Sequence, residues 1–82
     1  MTLTILYFAA TRDLAGTPEE KLEVPEGVRT IAALRDFLMS HRETLRGRLD
    51  QVRIARNERF AEDGEGIAEG DVIALIPPVA GG

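Results

Sequence analysis

The chain has 82 residues, enough for one domain with a single modest core; a chain this short buries only about 60% of the surface it exposes when unfolded, which leaves no room for a pocket enclosing a cofactor and a substrate. Fourteen Asp and Glu stand against ten Lys and Arg, a balance that disfavours nucleic acid as a partner, because duplex binding needs clustered positive charge. No cysteine is present, so disulfides, thiolate nucleophiles and zinc–thiolate sites are removed together.

Met1 to Phe8 is apolar, lacks a basic lead and alternates like a strand, so it does not read as a signal peptide. No apolar run approaches the ~20 residues that span a bilayer. The expectation is a soluble cytoplasmic protein with no membrane partner.

In chain order, Thr2 to Ala9 reads as a strand, with Leu3, Ile5 and Tyr7 on one face and Leu6 and Phe8 on the other. Thr11 to Leu14 reads as one helical turn, capped at its C-terminus by Gly16. Lys21 to Val24 alternates as a second strand, stopped by a turn at Pro25 to Gly27. Thr30 to about Leu45 is the clear helix: Thr30 is the N-cap, Ile31, Leu34, Leu38 and Leu45 form one stripe, and Ala33 and Phe37 flank it. After Gly47 come a short strand at Val52 to Ala55, a turn at Arg56-Asn57-Glu58 and a shorter strand at Arg59 to Ala61. Asp63 to Gly66 is a loop, and Gly70-Asp71 turns the chain into the apolar strand Val72 to Ile76.

One long helix covers one face of a four- or five-stranded mixed sheet, an α+β arrangement in two layers. The first and last strands are the most apolar and belong together at the centre, parallel and bridged by the crossover helix. This is the β-grasp, or ubiquitin-like, layout, here expected over residues 1–78, with 79–82 as an extended flexible tail.

Few residues offer internal chemistry. His41 stands alone on the solvent side of the helix, and Ser40 beside it does not face it. HExxH, EF-hand and phosphate-cradling GxxxxGK[ST] patterns are absent from the sequence. Glu62, Asp63 and Glu65 form at most a weak cation site and are more simply a solvated turn; no carboxylate pair is specified as acid and base.

The C-terminal stretch is different. Pro77-Pro78 ends sheet pairing, since both φ angles are fixed near −65° and Pro77 biases Ile76 away from helix. Val79-Ala80-Gly81-Gly82 then becomes small and finally loses its side chains. At ~3.3–3.6 Å per residue these four positions reach roughly 13–14 Å, far enough to enter a partner's buried site, and glycine leaves no Cβ to block a narrow channel. A frayed end is the plain alternative, but a stiff double proline is an unusual way to build one.

Strand parity adds a second clue. If the helix covers Leu3, Ile5, Tyr7, Ile73 and Leu75, the open face carries Leu6, Phe8, Val72, Ala74 and Ile76, with Phe60 nearby. A contiguous apolar patch of this kind marks a protein interface, unless strand twist or a loop covers it.

The stretch Phe8-Ala9-Ala10-Thr11-Arg12-Asp13-Leu14-Ala15-Gly16, the helical Ala33-Leu34-Arg35, the Gly70-Asp71 turn and the terminal Pro77-Pro78-Val79-Ala80-Gly81-Gly82 together resemble the small subunit of molybdopterin synthase, over essentially the whole chain. The resemblance implies a sulfur carrier. A ubiquitin-activating-like adenylyltransferase using ATP and Mg²⁺ would adenylate the Gly82 carboxylate, and a persulfide sulfur donor would convert it to a thiocarboxylate. Pro77, Pro78, Val79, Ala80 and Gly81 would carry it into the large catalytic subunit of the synthase, where sulfur passes to cyclic pyranopterin monophosphate. Phe8, Phe60 and Ile76 correspond to the docking surface, and the usual assembly is a heterotetramer. This chain itself would bind no cofactor or metal. It departs from the commoner pattern at Arg56-Asn57-Glu58, where an apolar residue often precedes the Asn. The competing readings are a sulfur carrier for thiamine synthesis or tRNA thiolation, and a ubiquitin-like protein modifier.

Overall fold

The computed structural model describes residues 1–78. It comprises strand β1 (Thr2–Tyr7), the short helix α1 (Ala10–Ala15), β2 (Glu19–Glu23), the main helix α2 (Ile31–His41), a 3₁₀ turn at Glu43–Leu45, and strands β3 (Arg53–Arg56), β4 (Arg59–Phe60) and β5 (Val72–Ile76). The five strands form one sheet in the order β2-β1-β5-β3-β4. β1 and β5 are parallel, with Ile5 opposite Ile73 and Tyr7 opposite Leu75; the β1–β2, β3–β5 and β3–β4 pairs are antiparallel.

The alternation along β1 and β5 sets which face is buried. Leu3, Ile5, Ile73 and Leu75 are fully buried, as are Ile31, Leu34 and Leu38 of α2 that cover them. Each such side chain contributes roughly 1.5–3 kcal/mol of transfer free energy, so this layer is a large part of the hydrophobic stabilisation. Thr30 caps α2 as expected, its hydroxyl accepting from the Ala33 N–H at 3.2 Å. The next two orphan N–H groups, of Ile31 and Ala32, donate to the carbonyls of Glu65 and Asp63 at 2.9 Å each. The acidic loop is thus a second cap for the helix, supplied by backbone oxygens.

The helix is shorter than its periodicity implies. It ends at His41, and Arg42 takes an extended conformation with φ −124° and ψ 111°. That break lets the Arg42 guanidinium reach Glu20 Oε2 at 2.7 Å and the Ala15 carbonyl at 2.9 Å. Leu45 is fully buried but arrives from the 3₁₀ turn, and Leu49 joins it in the core from the loop beyond. Arg35 holds that loop by donating to the carbonyls of Leu49 and Val52.

The β3–β4 connection is a two-residue turn in which both central residues, Asn57 (φ 50°) and Glu58 (φ 71°), are left-handed. Two positive φ values in succession make a type I′ hairpin, whose twist matches the strands it joins. Gly16 ends α1 in the left-handed region at φ 78°, as its position predicts.

Candidate functional site: the open face and the exit of the chain

The face of the sheet opposite α2 is uncovered. β1 contributes Leu6, β5 contributes Val72, Ala74 and Ile76, and β3 contributes Ala55. Together with Phe8 and Phe60 they line a shallow depression of about 310 Å³. Phe8 is 48% exposed and Phe60 56% exposed, large aromatic areas to leave in water without a partner. The three residues expected on the docking surface, Phe8, Phe60 and Ile76, lie along this one depression.

Its position follows from the register. β1 and β5 run side by side in the same direction, so their C-terminal ends emerge together. Phe8 follows β1 and donates its N–H to the Leu75 carbonyl at 3.3 Å, level with the last turns of β5. Pro77, half-buried, and Pro78, exposed, leave from that same end. The expected tail, Val79 to Gly82, lies outside the described residues.

Three features here escape a reading of the pattern alone. Arg53 places its guanidinium carbon 3.7 Å from the centre of the Phe60 ring, a cation–π contact that braces an otherwise loose edge aromatic. Ala55 is nearly buried at the floor, because its small side chain sits opposite Ala74 and Phe60 in the ladder. Ala9, directly after Phe8, has φ 50° and ψ −126°, a region glycine favours.

The far end of the depression is held by a polar clamp. Asp71 Oδ2 accepts from Arg56 Nε at 2.6 Å and from the Ala68 N–H at 2.7 Å, and Oδ1 accepts from Asn57 Nδ2 at 2.9 Å. Asn57 in turn accepts from the Val72 N–H at 2.8 Å. Burial alone raises the Asp71 carboxyl, but these hydrogen bonds outweigh it and hold the group below the usual aspartate range. The Gly70-Asp71 turn therefore fastens the β3–β4 hairpin to the start of β5. The arginine at position 56 is one partner of that clamp, which accounts for a polar residue before Asn57.

The candidate cation loop does not assemble. Asp63 pairs with Arg35 at 3.5 Å and Glu65 with Arg56 at 3.3 Å. Among the described residues no group of three or more His, Cys, Asp or Glu side chains is placed to hold a metal ion. His41 leans on Phe37, their rings 5.9 Å apart and near parallel, with Nε2 3.3 Å from Glu20 Oε1. No described helix is long and apolar enough to cross a membrane.

Residues 5–82 match the ThiS family. The chain belongs to the ThiS family. Among its curated relatives are molybdopterin synthase sulfur carrier subunits from Chlamydomonas reinhardtii, 32% identical with all of both chains covered, and Drosophila erecta, 38% identical over 95% of this chain and 88% of the relative. The counterpart from Mycobacterium tuberculosis is 36% identical over 98% of this chain and 96% of the relative. Of solved structures, SAMP1 from Haloferax volcanii superposes with a TM-score of 0.85 at 30% identity, covering both chains entirely. A putative molybdopterin converting factor subunit 1 from Pyrococcus furiosus gives 0.83 at 33% identity, over 96% of this chain and 99% of that one. This ThiS-family chain has the ubiquitin-like β-grasp fold, with the mixed sheet and single main helix its pattern implies.

Proposed function

We propose that this chain is the sulfur carrier subunit of molybdopterin synthase, donating sulfur from a thiocarboxylate on Gly82 to cyclic pyranopterin monophosphate. The observation that carries the reading is the continuity of the Phe8–Ile76 edge with the Pro77-Pro78 exit. A partner that docks on the depression meets Pro77-Pro78 at the same place. Full-length similarity to subunits named for this role supports it.

The chemistry follows from what the chain lacks. Without cysteine it has no side-chain thiol to carry sulfur, so the terminal carboxylate is left to do so. A carboxylate is a poor acyl donor, and an activating adenylyltransferase using ATP and Mg²⁺ supplies the leaving group. Persulfide sulfur displaces AMP to form an acyl disulfide, and a thiol of the donor side then attacks the S–S bond, leaving as a disulfide and releasing the thiocarboxylate. The folded domain supplies docking and positioning, and the large synthase subunit supplies the catalytic groups, so this chain is a non-catalytic member of the complex.

Reconstitution tests this. The chain loaded by its activating enzyme, ATP and a sulfur source is expected to convert cyclic pyranopterin monophosphate to molybdopterin in the presence of the large subunit. Removal of Gly82 is expected to abolish conversion and leave the fold intact; a truncated chain that still supports it would overturn the assignment. The 30% identity and TM-score of 0.85 to SAMP1, a small archaeal modifier protein, favour one other reading, a protein modifier. Isopeptide-linked conjugates of this chain, with no conversion of the pterin, would establish it instead.

A further inference from the structure

The Thr11 side chain is a polar group in an unexpected place. It is 1% exposed, one of two buried polar residues among those described, and it stands in α1, outside the sheet whose face it serves. Its hydroxyl accepts from the Phe8 N–H at 3.0 Å and donates to the Phe8 carbonyl at 2.7 Å, with the Leu75 carbonyl 3.4 Å away as a second acceptor. The Thr11 N–H also donates to the Phe8 carbonyl, at 3.1 Å. Phe8 is thus bracketed on both sides of its backbone by one residue three positions on.

Such bracketing has a reason in the conformation that follows. With Ala9 at φ 50° and ψ −126°, the backbone leaves Phe8 in a region that costs a non-glycine residue on the order of 1–3 kcal/mol and persists only where its surroundings over-determine it. Left to itself this corner would relax, and Phe8, no longer in a strand, would swing with it. The Phe8 N–H also reaches the Leu75 carbonyl at 3.3 Å, and the Thr11 hydroxyl lies 3.4 Å from that same oxygen, so Thr11 packs against the link between the corner and the end of β5, where Ile76 and Pro77 follow.

We propose that Thr11 is a positioning residue: its buried hydroxyl fixes the Phe8 ring on the open face beside Ile76, so that the docking aromatic and the exit of the chain keep one geometry. Thr11 touches no partner itself; it acts through Phe8. The part concerning docking rests on the sulfur-carrier reading above, whereas the placement of Phe8 does not.

Two measurements test it. In the free protein, NMR contacts between the Phe8 ring and the Ile76 side chain are expected in the native chain and in Thr11→Ser, which keeps the hydroxyl, and are expected to be lost or averaged in Thr11→Val. Contacts of equal strength in a folded Thr11→Val would overturn the proposal whatever the partner is. Calorimetric titration with the large synthase subunit then separates positioning from general stability by a double-mutant cycle. Thr11→Val is expected to weaken binding roughly 5- to 10-fold in the native background and by less than about 2-fold in a Phe8→Ala background. Equal losses in both backgrounds would show that Thr11 supports the fold alone and would refute its action through Phe8. Failure of the native chain to bind the large subunit would sink the sulfur-carrier reading, and the NMR result would still decide the placement of Phe8.

Discussion

Tyr7 and Glu20 are joined by a 2.6 Å hydrogen bond from the phenol to Glu20 Oε2, and Arg42 Nε donates to the same oxygen at 2.7 Å. Through this oxygen β1, β2 and the end of α2 are fastened together. The guanidinium also lies 5.7 Å from the centre of the Tyr7 ring. Burial and then the neighbouring carboxylate push the Tyr7 phenol well above its ordinary value. Burial raises Glu20 too, but hydrogen bonds from Arg42, Tyr7 and His41 prevail and lower it.

The signs of these shifts give opposite pH limits. A phenol raised in the folded state contributes stability that is complete below the unfolded tyrosine value, about 10, and is lost as pH rises beyond it. Tyr7 is the only tyrosine, so tyrosinate absorbance reports it directly. The folded chain is expected to show no phenolate where a free tyrosine ionises, and phenolate should appear together with loss of helical circular dichroism. Ionisation near 10 with the fold intact would contradict the buried bond. On the acid side, the lowered Glu20 and Asp71 contribute stability present above the ordinary carboxylate values near 4 and lost as pH falls through their folded values.

Asp71→Asn tests the clamp. The amide retains shape but loses charge, and its NH₂ faces either Arg56 together with the Ala68 N–H or the Asn57 amide, all of them donors. Urea unfolding at neutral pH is expected to show a loss of about 2–3 kcal/mol, with the acid limb of the stability profile correspondingly flatter. A change below about 0.5 kcal/mol would mean that the hairpin is held by its ladder alone.

Glu58→Gly acts in the other direction. Glu58 sits at φ 71° in the second central position of the type I′ turn, where Asn-Gly is the favoured pair. The substitution is expected to stabilise the fold by about 0.5–1 kcal/mol, read as a higher midpoint in thermal unfolding. A lower midpoint would show that the Glu58 side chain contributes more than its backbone strain costs.

Phe8→Asp and Phe60→Asp address the open face. Both side chains are about half exposed, so thermal stability should change little. Affinity for the large synthase subunit should fall about 30-fold or more, as for aromatic anchors at the centre of an interface. Unchanged affinity in both variants would remove the depression as the docking surface.

Most of this fold is legible in the sequence because hydrophobic period and turn chemistry agree. Leu3, Ile5, Ile73 and Leu75 announce their face by alternation, and Thr30 and Gly16 mark helix ends by their preferred backbone and capping chemistry. What escapes is decided by contacts distant in sequence. Leu45 continues the helical stripe, yet Arg42 leaves the helix because Glu20 and the Ala15 carbonyl offer it better partners than solvent. Leu49 has no periodic neighbours to mark it as core. Phe8 on the open face follows from parity, with Phe60 only placed nearby, but Arg53 over Phe60 and Thr11 beneath Phe8 depend on side-chain directions that spacing does not encode.

The central claim concerns the chemical state of Gly82. Intact-mass analysis of the chain, before and after incubation with an activating enzyme, ATP and a sulfur source, is expected to show replacement of one oxygen by sulfur, located by fragmentation to the C-terminal glycine. The shift should disappear when the cyclic pyranopterin substrate and the large subunit are added. Persistent absence of the shift, with lysine-linked conjugates found in its place, would contradict the sulfur-carrier function.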